Sequence, residues 1–227
     1  MLEVVPSQKT AFYATGIEIP GKNEDDIVLK AYKLLKKDFS KILFAFISNN
    51  FSFDIKSAID FGLSEPEETE TTFVGNARIK AHYASKKTGM PCLADDSGIE
   101  VESLNGAPGV FTANWAETPS GRDFNQAMEK IWLEVQKTTF QKPYKAQFCC
   151  TLVMAWPDGH DEIFEGVIKG CLTWPVKGKN GHGFDPMFIP TGYEETFGQM
   201  DRWEKNKISH RGLAFANLIK NCFIKEI

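Results

Sequence analysis

The sequence predicts an α/β fold on a mixed sheet, and three observations carry that prediction. Segments with apolar residues at helical spacing alternate with short runs that read as strands. Two long strand-like runs, residues 146–156 and 162–174, are joined by the turn Pro157-Asp158-Gly159-His160. A short apolar strand at residues 92–94 follows a helix whose two ends are both marked. Helices interspersed with strands and hairpins make the layered α/β pattern.

Taken in order, residues 10–15 read as a short strand, followed by a loop through residues 20–23. From residue 26 to 46, Ile27, Ala31, Leu35, Phe39, Ile42 and Phe46 recur at helical spacing. Residues 51–55 read as a weak strand and residues 64–70 as an acidic loop. Thr72 caps a helix to about residue 87, closed by Gly89 and Pro91. Val74, Ala77, Ala81 and Ala84 form its apolar face, and Asn76, Lys80 and Tyr83 a polar stripe. The strand at 92–94 is expected to end in the turn Asp95-Asp96-Ser97-Gly98. Residues 99–104 with Asn105-Gly106 predict a hairpin. Phe124, Ala127, Met128, Ile131 and Val135 mark an amphipathic helix. A glycine-rich loop covers residues 178–183, and Ser209 caps a last helix with Phe215, Leu218, Ile219, Cys222 and Phe223 on its apolar face.

Composition narrows the classes of function. The chain has 227 residues, 42% hydrophobic and 25% charged, enough to bury a sizeable core. Without a linker, repeat or low-complexity stretch, residues 1–227 read as one domain. A net charge of −4 and a pI near 5.7 argue against a nucleic-acid polymer as partner. A small anionic ligand would need local basic groups, backbone amides or a metal. The five cysteines are odd in number and none forms a Cys-x-x-Cys pair, which points to free thiols of a reducing cytoplasm. No apolar run reaches membrane length, and residues 1–9 lack signal-peptide character. A cytoplasmic location is expected.

Three segments carry chemistry. Asp95-Asp96 pairs two carboxylates, and Glu65, Glu67 and Glu68 supply more just before the capped helix. Magnesium prefers a few carboxylates together with substrate phosphates. Glu204-Lys205-Asn206-Lys207-Ile208-Ser209-His210-Arg211 leads into the last helix and offers cations and helix-start amides to a phosphate or a polar base edge. Gly181-His182-Gly183-Phe184-Asp185-Pro186 permits close approach of a flat ligand, with His182 or Phe184 to stack on it. Alone, each has an ordinary structural reading: a turn, a solvated acidic loop, a capped helix, a tight glycine turn.

Together they resemble the inosine triphosphate pyrophosphatase family, the house-cleaning enzymes for nonstandard purine nucleotides. The resemblance rests on Thr72-Phe73-Val74-Gly75-Asn76-Ala77-Arg78-Ile79-Lys80-Ala81, on residues 93–98, on Gly106-Ala107-Pro108-Gly109-Val110, and on the two segments at 181–186 and 204–211. It implies an elongated, twisted α/β sheet with flanking helices, two lobes enclosing an active-site cleft, and a homodimer. It further implies Mg2+-dependent hydrolysis of ITP, dITP and XTP to monophosphate and pyrophosphate. By the same resemblance, Asp96 is the catalytic base and a metal ligand, with Glu68 and Glu67 as the second acidic site. Ser97, Lys80, His182, Gly183, Phe184, Asp185, Lys205, His210 and Arg211 are substrate contacts.

The family's opening phosphate loop, Ser/Thr-x-Asn-x-x-Lys, has no clean copy. Ala14-Thr15-Gly16 followed by Gly21-Lys22 is similar to it, with Ile17 at the asparagine position, so Thr15 and Lys22 are the candidate contacts there. Glu70 replaces a usual glycine, Gly75 a usual glutamate, and His182 a usual phenylalanine. The alternative reading is a catalytically impaired nucleotide-binding homodimer whose phosphate loop is disrupted.

Overall fold

The computed structural model describes residues 2–5 and 54–223. The expected strand at 10–15, the helix at 26–46, and the candidate contacts Thr15 and Lys22 lie outside the described residues. The described strands are β1 (Leu2–Val5), β2 (Asp54–Ser57), β3 (Cys92–Val101), β4 (Glu117–Thr118), β5 (Gly121–Arg122), β6 (Lys145–Ala155), β7 (Asp161–Leu172) and β8 (Phe188–Pro190). The α-helices among these residues are α1 (Phe73–Thr88), α2 (Phe124–Gln136), α3 (Arg202–Ile208) and α4 (His210–Leu218). Six strands form one sheet in the order β2-β1-β3-β6-β7-β8, and β4 pairs with β5 separately. The pairings β1–β2, β1–β3 and β7–β8 are antiparallel. The α/β fold is therefore present. No helix of the described residues is long and apolar enough to cross a membrane.

The chain divides into two compact units. The first takes the described residues up to Asp96, Thr151–Glu165, and the described residues from Ala214 onward; the second takes Ser97–Cys150 and Gly166–Leu213. In the first unit, α1 begins where the Thr72 hydroxyl accepts the Gly75 N–H at 3.0 Å, and it ends at Gly89, whose φ of 70° is left-handed. Its core contacts are small: Ala77 and Ala81 pack with Ala94 of β3 and with Val153 and Ala155 of β6. Alanines at i and i+4 let the helix backbone lie close to the strands, and that closeness brings the polar stripe of α1 to the level of β3. Arg78 makes two 3.0 Å hydrogen bonds to the Asp161 carboxylate, and His82 Nε2 sits 2.8 Å from it. The Arg78 guanidinium holds Asp161 below the usual carboxylate range.

In the second unit α2 follows an Asp123 cap that accepts the Asn125 and Gln126 N–H groups. It buries Ala127, Met128, Ile131, Trp132 and Val135 against Ile99, Val101, Phe148, Leu172 and Phe188. The loop at 178–183 is sewn to residues 196–200: Asn180 N–H donates to the Gly198 carbonyl at 2.9 Å, and the Thr196 hydroxyl to the Lys177 carbonyl at 2.7 Å. Backbones meet so closely there that a Cβ on Gly178, at φ +86°, would lie 1.9 Å from the Gly198 carbonyl oxygen. Gly178→Ala is accordingly expected to destabilise the protein by about 2–5 kcal/mol, combining left-handed strain with overpacking. Urea denaturation checks this, and a change below about 1 kcal/mol would show the loop yielding freely.

One expectation is corrected. Asp95-Asp96-Ser97-Gly98 is not a turn but the middle of β3, which runs unbroken from Cys92 to Val101. The composition is that of a turn, yet Gly98 and Ile99 are buried, and strand alternation places Asp95 half-exposed and Asp96 buried. The turn comes later, at Asn105 (φ 53°) and Gly106 (φ 87°), and its return leg is a single bridge from Glu100 to Pro108.

Candidate active site

The first unit assembles two acids around one lysine. Lys80 lies on the sheet side of α1, and its Nζ donates to Glu68 Oε1 at 2.9 Å and lies 3.5 Å from Asp96 Oδ1. Glu68 comes from the loop before α1, Asp96 from β3. Asp96 is only 8% exposed. Burial pushes its pKa up to about 6, a rise that Lys80 opposes, Glu68 and Asp95 reinforce, and a hydrogen bond from Asn76 moderates. Burial works against the Lys80 ammonium, but Asp96, Glu68 and Asp95 outweigh it, so Lys80 stays charged with a raised pKa. A carboxylate near neutrality is matched to taking a proton at physiological pH.

The second unit assembles the other candidates in two groups. Arg211, at the start of α4, donates from NH2 to the Ser97 hydroxyl at 2.7 Å. Its NH1 lies 3.3 Å from His210 Nε2, and because a guanidinium has no acceptor, Nε2 must accept and the proton sits on Nδ1. His210 stacks on Phe148, with centroids 4.8 Å apart and planes within 13°. Burial first, then Arg211 and Lys205, hold its pKa well below the usual imidazole value, so it stays neutral. Its Nδ1 is buried and has no hydrogen-bond partner among the described residues. Ser209, as expected, caps this helix by accepting the Gly212 N–H at 3.1 Å.

In the other group Lys205 of α3 is ion-paired with Asp185, whose carboxylate also accepts the His182 N–H. The Lys205 ammonium stands 5.4 Å from the Phe197 centroid. Phe184 is buried edge-on against Phe124, so its ring belongs to the core, whereas His182 is exposed and its ring can meet a ligand. Gly183 at φ 63° makes the bend between them.

The structure thus brings Asp96, Glu68 and Lys80 together in one unit, and Ser97 with His210 and Arg211, and Lys205 with Asp185 and His182, in the other. Glu67 is exposed and makes none of these contacts. Sequence reading missed Asn76 as a site residue. Its signal was present: an asparagine four residues before Lys80, on the polar stripe of α1.

These side chains define the class of protein: an α/β fold carrying a lysine-bridged carboxylate pair, with guanidinium and ammonium groups of the kind that meet phosphates. The sequence pattern of the Ham1 family matches residues 33–221, and the chain belongs to that family. A dITP/XTP pyrophosphatase of Ruegeria pomeroyi is 58% identical over 173 residues, spanning 76% of this chain and 85% of the relative. One of Agrobacterium fabrum is 46% identical over 183 residues, spanning 76% and 86%. A HAM1 protein from Coxiella burnetii superposes with a TM-score of 0.72 at 31% identity, covering 87% of this chain and 93% of that one.

Proposed function

We propose that this protein is a nucleoside triphosphate pyrophosphatase that converts dITP, XTP and ITP to the monophosphate and pyrophosphate. The observation that carries the reading is the Asp96–Lys80–Glu68 cluster: two hard oxygen ligands and a cation, with Asp96 poised near neutral pH. Relatives named for this activity, at 46% and 58% identity over three quarters of the chain, support it.

Among the described residues no group of three or more metal-binding side chains is assembled. Mg2+ is commonly held by one or two carboxylates and completes its octahedron with water and substrate phosphates. Asp96 and Glu68 are the residues that would hold it, and the ion would supply charge neutralisation along the phosphates. Lys80 adds a cation that moves from its acid partners to a phosphate oxygen. Water opens the α–β anhydride, Asp96 takes its proton, and the bridging oxygen departs with the pyrophosphate. Arg211 and Lys205 meet the nucleotide as cations. His210 presents a neutral Nδ1–H, a donor in need of an acceptor, and the keto oxygen of hypoxanthine or xanthine is one. A 6-amino group would set donor against donor, a mismatch that such sites reject by large factors. Following the family resemblance, the enzyme acts as a cytoplasmic homodimer.

The test is pyrophosphate release from dITP and dATP with Mg2+. The expected kcat/KM ratio favours dITP by at least about a hundredfold. Equal rates would refute the base-reading roles, and absent dITP turnover the whole reading.

A further inference from the structure

We propose that Phe148 is a positioning residue: its ring, stacked on His210, fixes the plane of the imidazole and so aims the Nδ1 donor that reads the purine's 6-position. The inference deepens the pyrophosphatase reading and rests on it for its kinetic arm only. His210 opens α4, is 4% exposed, and leaves Nδ1 with no hydrogen-bond partner among the described residues. A buried donor in that condition costs free energy unless a ligand meets it, so its direction matters. The histidine torsion alone supplies little direction, because rotation about the bond to a flat ring is broad and roughly two-fold. Turned over by half a revolution, the ring would present carbon where nitrogen is needed.

Two contacts remove that freedom. At the ring edge, Nε2 lies 3.3 Å from Arg211 NH1, which favours one of the two orientations. On the ring face, Phe148 stacks with centroids 4.8 Å apart and planes within 13°, which holds the plane itself. Phe148 is in turn clamped. It is 5% exposed on β6, with Phe188 edge-on at 4.6 Å and Phe197 nearly parallel at 6.0 Å. Phe188 and Phe197 are fully buried and meet each other at 5.3 Å, and the Lys205 ammonium stands over Phe197. One set of packed rings therefore backs both His210 and Lys205, two of the side chains assigned to the nucleotide. Among the described residues Phe148 is the ring that stacks on the imidazole. Removing it should free His210, whereas removing Phe188 damages the same core and spares the stack.

The experiment compares wild type, Phe148→Leu, Phe148→Met and the control Phe188→Leu. It reads kcat/KM for dITP and for dATP, and the 15N imidazole spectrum, in which His210→Gln identifies the His210 signals among the four histidines. Phe148→Leu is expected to lower the dITP-to-dATP ratio by about 3–10-fold, the factor that one aromatic pair is worth. The ratio should fall from both sides, with dITP losing an oriented donor and dATP meeting a ring that can turn away. In the spectrum, wild-type His210 should show one protonated and one bare nitrogen, and Phe148→Leu should draw the two toward averaged positions. Phe148→Met, also without a flat face, should behave alike and stands in if the leucine variant fails to fold. Phe188→Leu should lower stability yet keep the ratio within about twofold, since the ring pair with His210 survives. A core weakened in general slows both substrates alike. If Phe188→Leu loses as much of the ratio as Phe148→Leu, the role is merely structural and the proposal falls. It falls equally if the Phe148 variants keep the wild-type spectrum, or keep the ratio of a wild type that prefers dITP. Wild type that shows no preference for dITP, with a His210 spectrum that averages in the Phe148 variants alone, would sink the base-reading role and leave the positioning role standing.

Discussion

Asp96→Asn is expected to slow dITP turnover by about 10²–10⁴-fold while making the metal-free protein more stable, a pairing that only a functional carboxylate should show. The loss follows from removing both a proton acceptor and a phosphate-side charge partner. The gain follows from the same burial that tunes the group. Its folded pKa of about 6 stands above the ordinary 3.8, so between those values the folded protein keeps a proton that the unfolded chain has released. Stability therefore drops as pH climbs through that window, and above pH 6 the full penalty, about 3 kcal/mol, is present. Asparagine carries no such penalty. The stability difference between variant and wild type should be near zero at pH 4 and about 2–3 kcal/mol in favour of the variant at pH 7.5. Urea denaturation in EDTA at the two pH values measures it. A difference that does not change with pH would mean that Asp96 is not the strained acid described here.

Much of this architecture was legible in the chain because its signals are local. Thr72 and Gly89 bracket α1 by capping chemistry, the period of Ala127, Met128, Ile131 and Val135 makes α2, and Pro157-Asp158-Gly159-His160 joins β6 to β7. Asp95-Asp96-Ser97-Gly98 failed for the opposite reason. Its turn-like composition is overridden by ladder pairing and burial, which depend on strands distant in sequence. The site followed the same division. The residue types were readable, but their pairings were not: Lys80 meets Glu68 across 12 residues, Lys205 meets Asp185 across 20, and Arg211 meets Ser97 across 114. Phe184 looked available for stacking because the glycines of Gly181-His182-Gly183 open the loop to a flat ligand. Only the packing of Phe124 shows that it faces inward.

Asp185→Ala is expected to destabilise the protein by about 3–5 kcal/mol, the range found when one partner of a buried ion pair is removed. Asp185 was expected as a ligand contact in a loop, yet its carboxylate is 2% exposed and is committed to the protein itself. It accepts from Lys205 Nζ and from the His182 N–H, and a Cβ on Gly181 would lie 2.0 Å from its Oδ2, so the loop is wrapped around it. Without it, the Lys205 ammonium is left beside the Phe197 ring with no carboxylate paired to it, in a side chain only 16% exposed. The sign of the coupling discriminates this from simple loop damage. Lys205→Met removes the stranded charge and keeps the apolar stem against Phe197, so the double variant should be more stable than the sum of the two single losses implies. A double-mutant cycle by urea denaturation, with the Asp185→Ala, Lys205→Met and double variants, gives that coupling energy, expected at about 1–3 kcal/mol. Strict additivity would show that Asp185 acts through the His182 amide and the loop alone.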